Sequence, residues 1–204
     1  MKTLVSLFDT YGCDKGNIKH RYDRVYVQAL EQYKNSNFNM LEIGIFKGNS
    51  TEAFVEYCPN INVVGVDVFT RVDVKDIPIL NNYNVHPIKC DSLVGPTEEF
   101  KNLASDGFDI IIDDGLHTHE AQWKTFENFI QFLKEGGSYF IEDVWPFDKM
   151  SDSEKNHHWL KKHGNVFSDK QYKKLLDVIS PYTVTYHDLR EGYEPDTFII
   201  EIKK

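Results

Sequence analysis

The sequence predicts an α/β fold: an open, mostly parallel sheet with helices on both faces, ending in an antiparallel strand pair. Three observations carry this. From residue 38 onward, short apolar β-type runs alternate with longer mixed segments, the pattern of successive βαβ units. The runs are almost entirely apolar, as strands covered on both faces are. The last two runs follow one another with only a turn between them.

The chain has 204 residues, one domain plus a small appendage at roughly 100–200 residues per domain. Residues 1–37 form an N-terminal helical segment that caps the site, and 38–204 the main domain. Within the first segment Gly12, Asp14, Gly16 and Asn17 make a turn, and 22–33 reads as a helix. Strands are expected at 39–43, 62–66, 85–89, 109–112 and 138–141, and helices at 50–57 and 119–133. In the second helix Trp123, Phe126, Phe129, Ile130 and Leu133 recur at helical spacing, an aromatic stripe read as core. Residues 145–164 lack periodicity and read as a lid or loop with a short helix, with His157, His158 and His163 facing solvent. A helix at 169–179 leads to strands at 183–189 and 197–202, joined around Gly192 and Pro195.

Lys and Arg number 23 against 32 Asp and Glu, a formal charge of −9 that disfavours nucleic acid as a partner. No run approaches the roughly 18 apolar residues of a membrane span, and residues 1–9 turn acidic too soon for a signal peptide. A cytoplasmic protein without a membrane partner is expected. Cys13, Cys58 and Cys90 lack CxxC spacing, so they read as reduced thiols and not as a disulfide framework or zinc ribbon.

Residues 40–51 read as a strand, a glycine-bearing turn and a helix start. Gly44 and Gly48 allow the backbone close to a ligand, and Asn49 with Glu52 forms a capping-box-like pair. Phe46 stands where a dinucleotide fingerprint has its second glycine, which disfavours a nicotinamide cofactor. Asp67, at the end of the next apolar run, is placed to accept hydrogen bonds from two ribose hydroxyls. Asp91, after the third strand, is either an adenine-contacting acid or a helix cap.

The fourth strand runs into Asp113-Asp114-Gly115-Leu116-His117 and the fifth into Glu142-Asp143, so neighbouring strands point carboxylates at one crevice. Such acids either cap helices in solvated loops or hold a cation, since unpaired they repel one another. An oxygen-rich set favours a hard ion, Mg²⁺ first, with Mn²⁺ or Ca²⁺ as alternatives. His117 is a general base beside that ion or a cap.

These motifs, with Tyr11-Gly12-Cys13-Asp14-Lys15-Gly16, His20, Tyr22, Leu41-Glu42-Ile43-Gly44 and Asp188-Leu189-Arg190, resemble a known family. It is the metal-dependent class I S-adenosylmethionine (SAM) O-methyltransferases of the macrocin and mycinamicin type. The resemblance implies a Rossmann-like methyltransferase sheet with SAM as cofactor, bound by Glu42, Gly44, Gly48, Asp67, Asp91 and Asp113. It implies metal ligation by Asp114, Glu142 and Asp143, His117 as base, and a substrate-side lid bearing Asp14, Lys15, His20 and Tyr22. Leu116 stands where the family usually has serine, and Cys13 where it has a small polar residue. The expected acceptor is a sugar, glycoside or other vicinal-diol small molecule, and the chain is compatible with a homo-oligomer. The alternatives are a metal-independent N- or O-methyltransferase and a non-catalytic SAM-binding domain.

Overall fold

A computed structural model describes residues 2–164 and 166–204, leaving Met1 and Asn165 outside. Its strands are β1 (Phe38–Ile43), β2 (Ile61–Asp67), β3 (Val85–Lys89), β4 (Phe108–Asp113), β5 (Leu133–Ile141), β6 (Thr183–Asp188) and β7 (Phe198–Lys203). They make one sheet in the order β3-β2-β1-β4-β5-β7-β6. The first five are parallel, and β7 runs antiparallel to both β5 and β6. The expected Rossmann-like α/β sheet with its terminal antiparallel pair is therefore present.

Side chains alternate between two cores, as strand geometry requires. On β4, Ile111 joins one apolar cluster while Ile110 and Ile112 join the other. The helices divide the same way. α1 (Leu4–Tyr11), α2 (Asp23–Leu30) and α3 (Asn49–Tyr57) cover one face. The other is covered by α4 (Glu98–Leu103), α5 (His119–Phe129) and α8 (Asp169–Ile179), with the segment carrying the short α6 (Asp152–Lys155) and α7 (His158–Lys162). Phe126, Phe129, Ile130 and Leu133 of the predicted stripe are buried, and Trp123 packs against their edge.

Four elements differ from the sequence reading. Helix α1 is additional: Thr3 caps it by accepting Ser6 N, and Leu4, Leu7 and Phe8 bury one face. Phe8 and Tyr26 meet Phe54 edge-on at 5.5 and 5.4 Å. Each such buried ring contributes roughly 1.5–3 kcal/mol, so the N-terminal segment is packed into the domain. Helix α4 is also additional, six residues capped by Thr97, too short for a periodic signal. Helix α5 stops at Phe129, because a 3-10 turn over Ile130–Phe132 hands Leu133 to a longer β5. Helix α3 is capped by Gly48 in a left-handed conformation, and Asn49 Nδ2 donates to Gly12 O in place of the capping box.

The three cysteines are free and buried. Among the described residues no helix is long and apolar enough to cross a membrane.

Candidate active site

A cavity of about 960 Å³ lies along the carboxyl edge of the parallel strands, where open α/β sheets bind ligands. The residues after β1, β2, β3, β4 and β5 form its floor, including Gly44, Asp67, Asp91, Asp114 and Asp143. Asp14 and Lys15 from the N-terminal turn, His157 and Trp159 from the lid, and Asp196 from the β6–β7 loop complete the walls. The three histidines expected to face solvent divide: His158 is exposed, whereas His157 and His163 are half-buried. His157 and His158 both line the cavity.

At the glycine-loop end, Asp67 is fixed by the backbone. Its Oδ2 accepts Ile45 N at 2.9 Å and Phe46 N at 3.1 Å, and Oδ1 accepts Phe69 N at 2.7 Å. Gly44 has φ 94, and a Cβ there would lie 2.1 Å from Asp114 O. Its missing side chain thus lets the β4 loop close against β1, a role distinct from ligand contact. Phe46 adopts φ 49 without being glycine, and its ring is half exposed at the cavity.

Three residues expected on the cofactor lie behind the wall. Glu42 is fully buried and accepts Ser50 Oγ and Thr51 Oγ1, both at 2.5 Å, which fastens the first turn of α3 to β1. Burial pushes its carboxyl up, against those two hydroxyls. Gly48 has its Cβ position filled by Ile79 and Ile77. Asp113 accepts Gly115 N at 3.3 Å, shaping the turn, and burial pushes its carboxyl up to about 7. Asp91 accepts Leu93 N at 2.9 Å in its own turn while facing the cavity.

The other end gathers charge. Asp114, His117 and Asp143 each offer one ligand atom, all within 4.8 Å of one another. His117 Nε2 is 3.6 Å from Asp114 Oδ1 and 3.7 Å from Asp143 Oδ2. Asp143 sits at φ 52, a left-handed conformation tolerated by Asp and Asn better than by most residues. Burial pushes its carboxyl up, but His117, His20, the Tyr22 hydroxyl and Lys15 together hold it below the usual range. Tyr22 donates to Asp143 Oδ1 at 2.5 Å.

Glu142, expected among the metal ligands, is outside that group. Its Oε2 accepts Lys15 Nζ at 2.5 Å and its Oε1 accepts the Tyr26 hydroxyl. Lys15 also donates to Asp114 Oδ2 at 2.5 Å. Burial opposes the lysine's charge, yet Asp114 and Glu142 hold its pKa well above the ordinary value.

The segment supplying Lys15 is braced. Asp9 accepts both Asn17 N and Asn17 Nδ2, at 2.8 and 2.6 Å. His20 stacks on Tyr22 and its Nδ1 meets Thr197 Oγ1 at 2.8 Å. Of the four predicted lid residues, Lys15, His20 and Tyr22 are buried and only Asp14 is exposed. Tyr26, Thr197 and Asp196 are additions to the sequence reading. Tyr26 was readable only as a helix residue, and Asp196 only as an acid beside Pro195.

The segment after β5 has two anchors. His119 Nε2 donates to Trp145 O at 2.7 Å, and burial pushes that imidazole down to about 4, keeping it neutral. Arg190 grips Asp188 through Nε and Nη2, both at 2.8 Å, and reaches Glu154 of α6 at 3.2 Å.

The chain is similar to several known proteins. The chain is 25% identical over 151 residues to the mycinamicin VI 2''-O-methyltransferase of Micromonospora griseorubida, covering 70% of this chain and 36% of that protein. It is 26% identical over 147 residues to a tetracenomycin-C rhamnosyl 3'-O-methyltransferase of Streptomyces olivaceus, covering 66% of this chain and 35% of that protein. The chain thus spans little more than a third of the length of these relatives. The solved structure of the MycE methyltransferase of the mycinamycin pathway, in complex with Mg and SAH, superimposes with a TM-score of 0.70 at 22% identity. That match covers 100% of this chain and 55% of MycE. A family model described as a methyltransferase domain matches residues 41–144, from β1 through the acids after β5, and the chain belongs to that methyltransferase family.

Proposed function

We propose that the chain transfers a methyl group from SAM to a hydroxyl of a sugar or other vicinal-diol small molecule, assisted by a divalent cation, Mg²⁺ first. The observation that carries this is one cavity with Asp67 and the glycine loop at one end and the Asp114, His117 and Asp143 group at the other. The relatives named as glycoside O-methyltransferases, and the Mg and SAH in MycE, support the same reading.

The donor set fits a divalent ion. Asp114, Glu142 and Asp143 bring three carboxylates, of which Lys15 offsets one, and oxygen donors suit Mg²⁺. Asp114 and Asp143 would hold it. When bound, SAM supplies an activated methyl group and the ion an acidified, oriented hydroxyl.

The rest falls to the chain. Asp67 would hold a ribose hydroxyl: three backbone N–H groups pre-orient its oxygens and fill three of about four acceptor positions, leaving one on Oδ1. His117 takes the acceptor's proton at Nε2. Trp145, His157 and Trp159 line one wall of the cavity and would shape the space for the acceptor. Residues 1–37 serve as the fixed cap of the site.

Asp67→Ala is expected to weaken SAM binding about ten- to hundredfold, the equivalent of charged hydrogen bonds worth roughly 1.5–3 kcal/mol. Isothermal titration with SAM checks it.

The rival reading, in which the acids are structural and no metal acts, draws on Lys15 already pairing two of them. SAH release from SAM, measured over a panel of glycosides bearing vicinal hydroxyls, separates the two. The proposal expects turnover with one or more of them that EDTA abolishes and Mg²⁺ restores. Turnover that persists in EDTA favours the rival, and none with any vicinal diol removes the acceptor reading.

A further inference from the structure

Nothing in the fold calls for a phenylalanine at position 46. Its backbone is left-handed at φ 49, between Gly44 at φ 94 and Gly48 at φ 77. Residues other than glycine, asparagine and aspartate rarely adopt that conformation, and side chains held in it gather at functional sites. The ring gives the fold little apolar burial in return. It is 51% exposed and lines the cavity, whereas the neighbouring Ile45 is 2% exposed. Glycine would suit the backbone better, so the side chain answers to something outside the fold.

Its place in the cavity says what. The glycine loop is tied to both ends of the site. Ile45 N and Phe46 N donate to Asp67 Oδ2 at 2.9 and 3.1 Å. On the other side Asp114 N donates to Ile43 O at 2.8 Å, and Asp114 O lies where a Cβ of Gly44 would be. With the ribose on Asp67 and the acceptor beside Asp114 and His117, the methyl-bearing sulfur of SAM lies between them, because that sulfur is bonded directly to the C5′ carbon of the ribose. The loop spans this interval, and between Gly44 and Gly48 it exposes only the side chains of Phe46 and Lys47. An aromatic face attracts a cation. The Phe46 ring already has one nearby, Lys47 Nζ at 5.3 Å from its centroid, and half its surface is still open.

We propose that Phe46 reads the charge of the cofactor, its ring lying against the sulfonium so that SAM is held in preference to SAH. The inference rests on the reading of Asp67 as the ribose clamp. Methyl transfer breaks the bond from sulfur to the methyl carbon and leaves its electron pair on sulfur. The methyl goes to the acceptor oxygen and the hydroxyl proton to His117, so the cofactor product is a neutral thioether that has lost the attraction to the ring. SAM and SAH share every adenine and ribose contact, which leaves charge at the sulfur to tell them apart.

The test is isothermal titration of the chain with SAM and, separately, with SAH. Phe46→Leu keeps apolar bulk but removes the aromatic face. Its affinity for SAM is expected to fall about fivefold and its affinity for SAH much less. Phe46→Tyr keeps the face and should stay near the wild type with both. Phe46→Gly suits the left-handed backbone, so without cofactor it should melt at or above the wild type while losing the preference for SAM as Phe46→Leu does. Asp67 and Asp114 are intact in all three variants, so a change in the ratio of the two affinities belongs to the ring. Asp67→Ala, by contrast, should weaken SAM and SAH alike. Equal losses of SAM and SAH in Phe46→Leu, or no loss, overturn the proposal and leave the ribose reading standing. A Phe46→Gly variant that melts well below the wild type assigns the ring to the fold and overturns it too. An Asp67→Ala variant that spares both ligands overturns the ribose reading and the proposal together.

Discussion

Replacing His117 by alanine is expected to slow methyl transfer by about 10²–10⁴-fold, the usual worth of a positioned general base. SAM affinity should be unchanged, because the end of the cavity proposed to hold SAM, at Gly44 and Asp67, is built from other loops. The Asp114–His117 turn delivers a carboxylate and an imidazole from one loop, with Nε2 3.6 Å from Asp114 Oδ1. A base at that position can reach an oxygen held by its neighbours. The rate–pH profile should also change: a rate that rises as the imidazole loses its proton should lose that limb in the variant. Turnover and its pH profile, measured with saturating SAM and Mg²⁺, check both parts. An unchanged rate would return His117 to a capping role.

Asp143→Asn should abolish the metal-supported rate, a loss of about 10³-fold or more if the ion supplies several kcal/mol at about 1.4 kcal/mol per factor of ten. The fold should survive. Asparagine keeps an oxygen for the Tyr22 hydroxyl that now meets Asp143 Oδ1 at 2.5 Å, and it tolerates the left-handed backbone at φ 52. The measurement is turnover against Mg²⁺ concentration, paired with a melting curve and SAM titration. A variant that melts and binds SAM like the wild type yet ignores Mg²⁺ places the defect in the chemistry. A variant with full activity shows that Asp143 holds no ion.

The strands were the most legible part of this chain, for a physical reason. A parallel strand buried on both faces must be apolar throughout, so Val63 to Val66 or Ile110 to Ile112 announce themselves without any neighbour. The strand ends were legible too, since acids directly after such runs must sit at the sheet's carboxyl edge. Local rules failed where the outcome depended on distant partners. The Lys15–Glu142 pair spans 127 positions, and nothing in either local sequence marks the other. Glu42 and Asp113 show a second limit, because a motif does not tell which protein groups its residues will bond. Ser50 and Thr51, eight and nine positions from Glu42, turn it inward, and Asp113 closes its own turn through Gly115. Short helices such as α4 escape any periodic test, since one buried Phe100 makes no pattern.

The reversed direction of β7 has a consequence for how this site can change. A strand antiparallel to its neighbour β5 begins where β5 ends, so the hairpin connecting β6 to β7 arrives beside Asp143 and puts Asp196 in the cavity wall. Its tip is remote from the core: at Gly192 a Cβ would meet nothing within 4 Å. Lengthening such a connection costs little, about 0.6 kcal/mol for each doubling, and the five parallel strands do not depend on it. Residues spliced in near Gly192 would extend the wall that Glu194 and Asp196 supply while Asp114, His117 and Asp143 kept their places. The tip of this hairpin is therefore a graft point, where the cavity's wall can be altered without rebuilding the sheet.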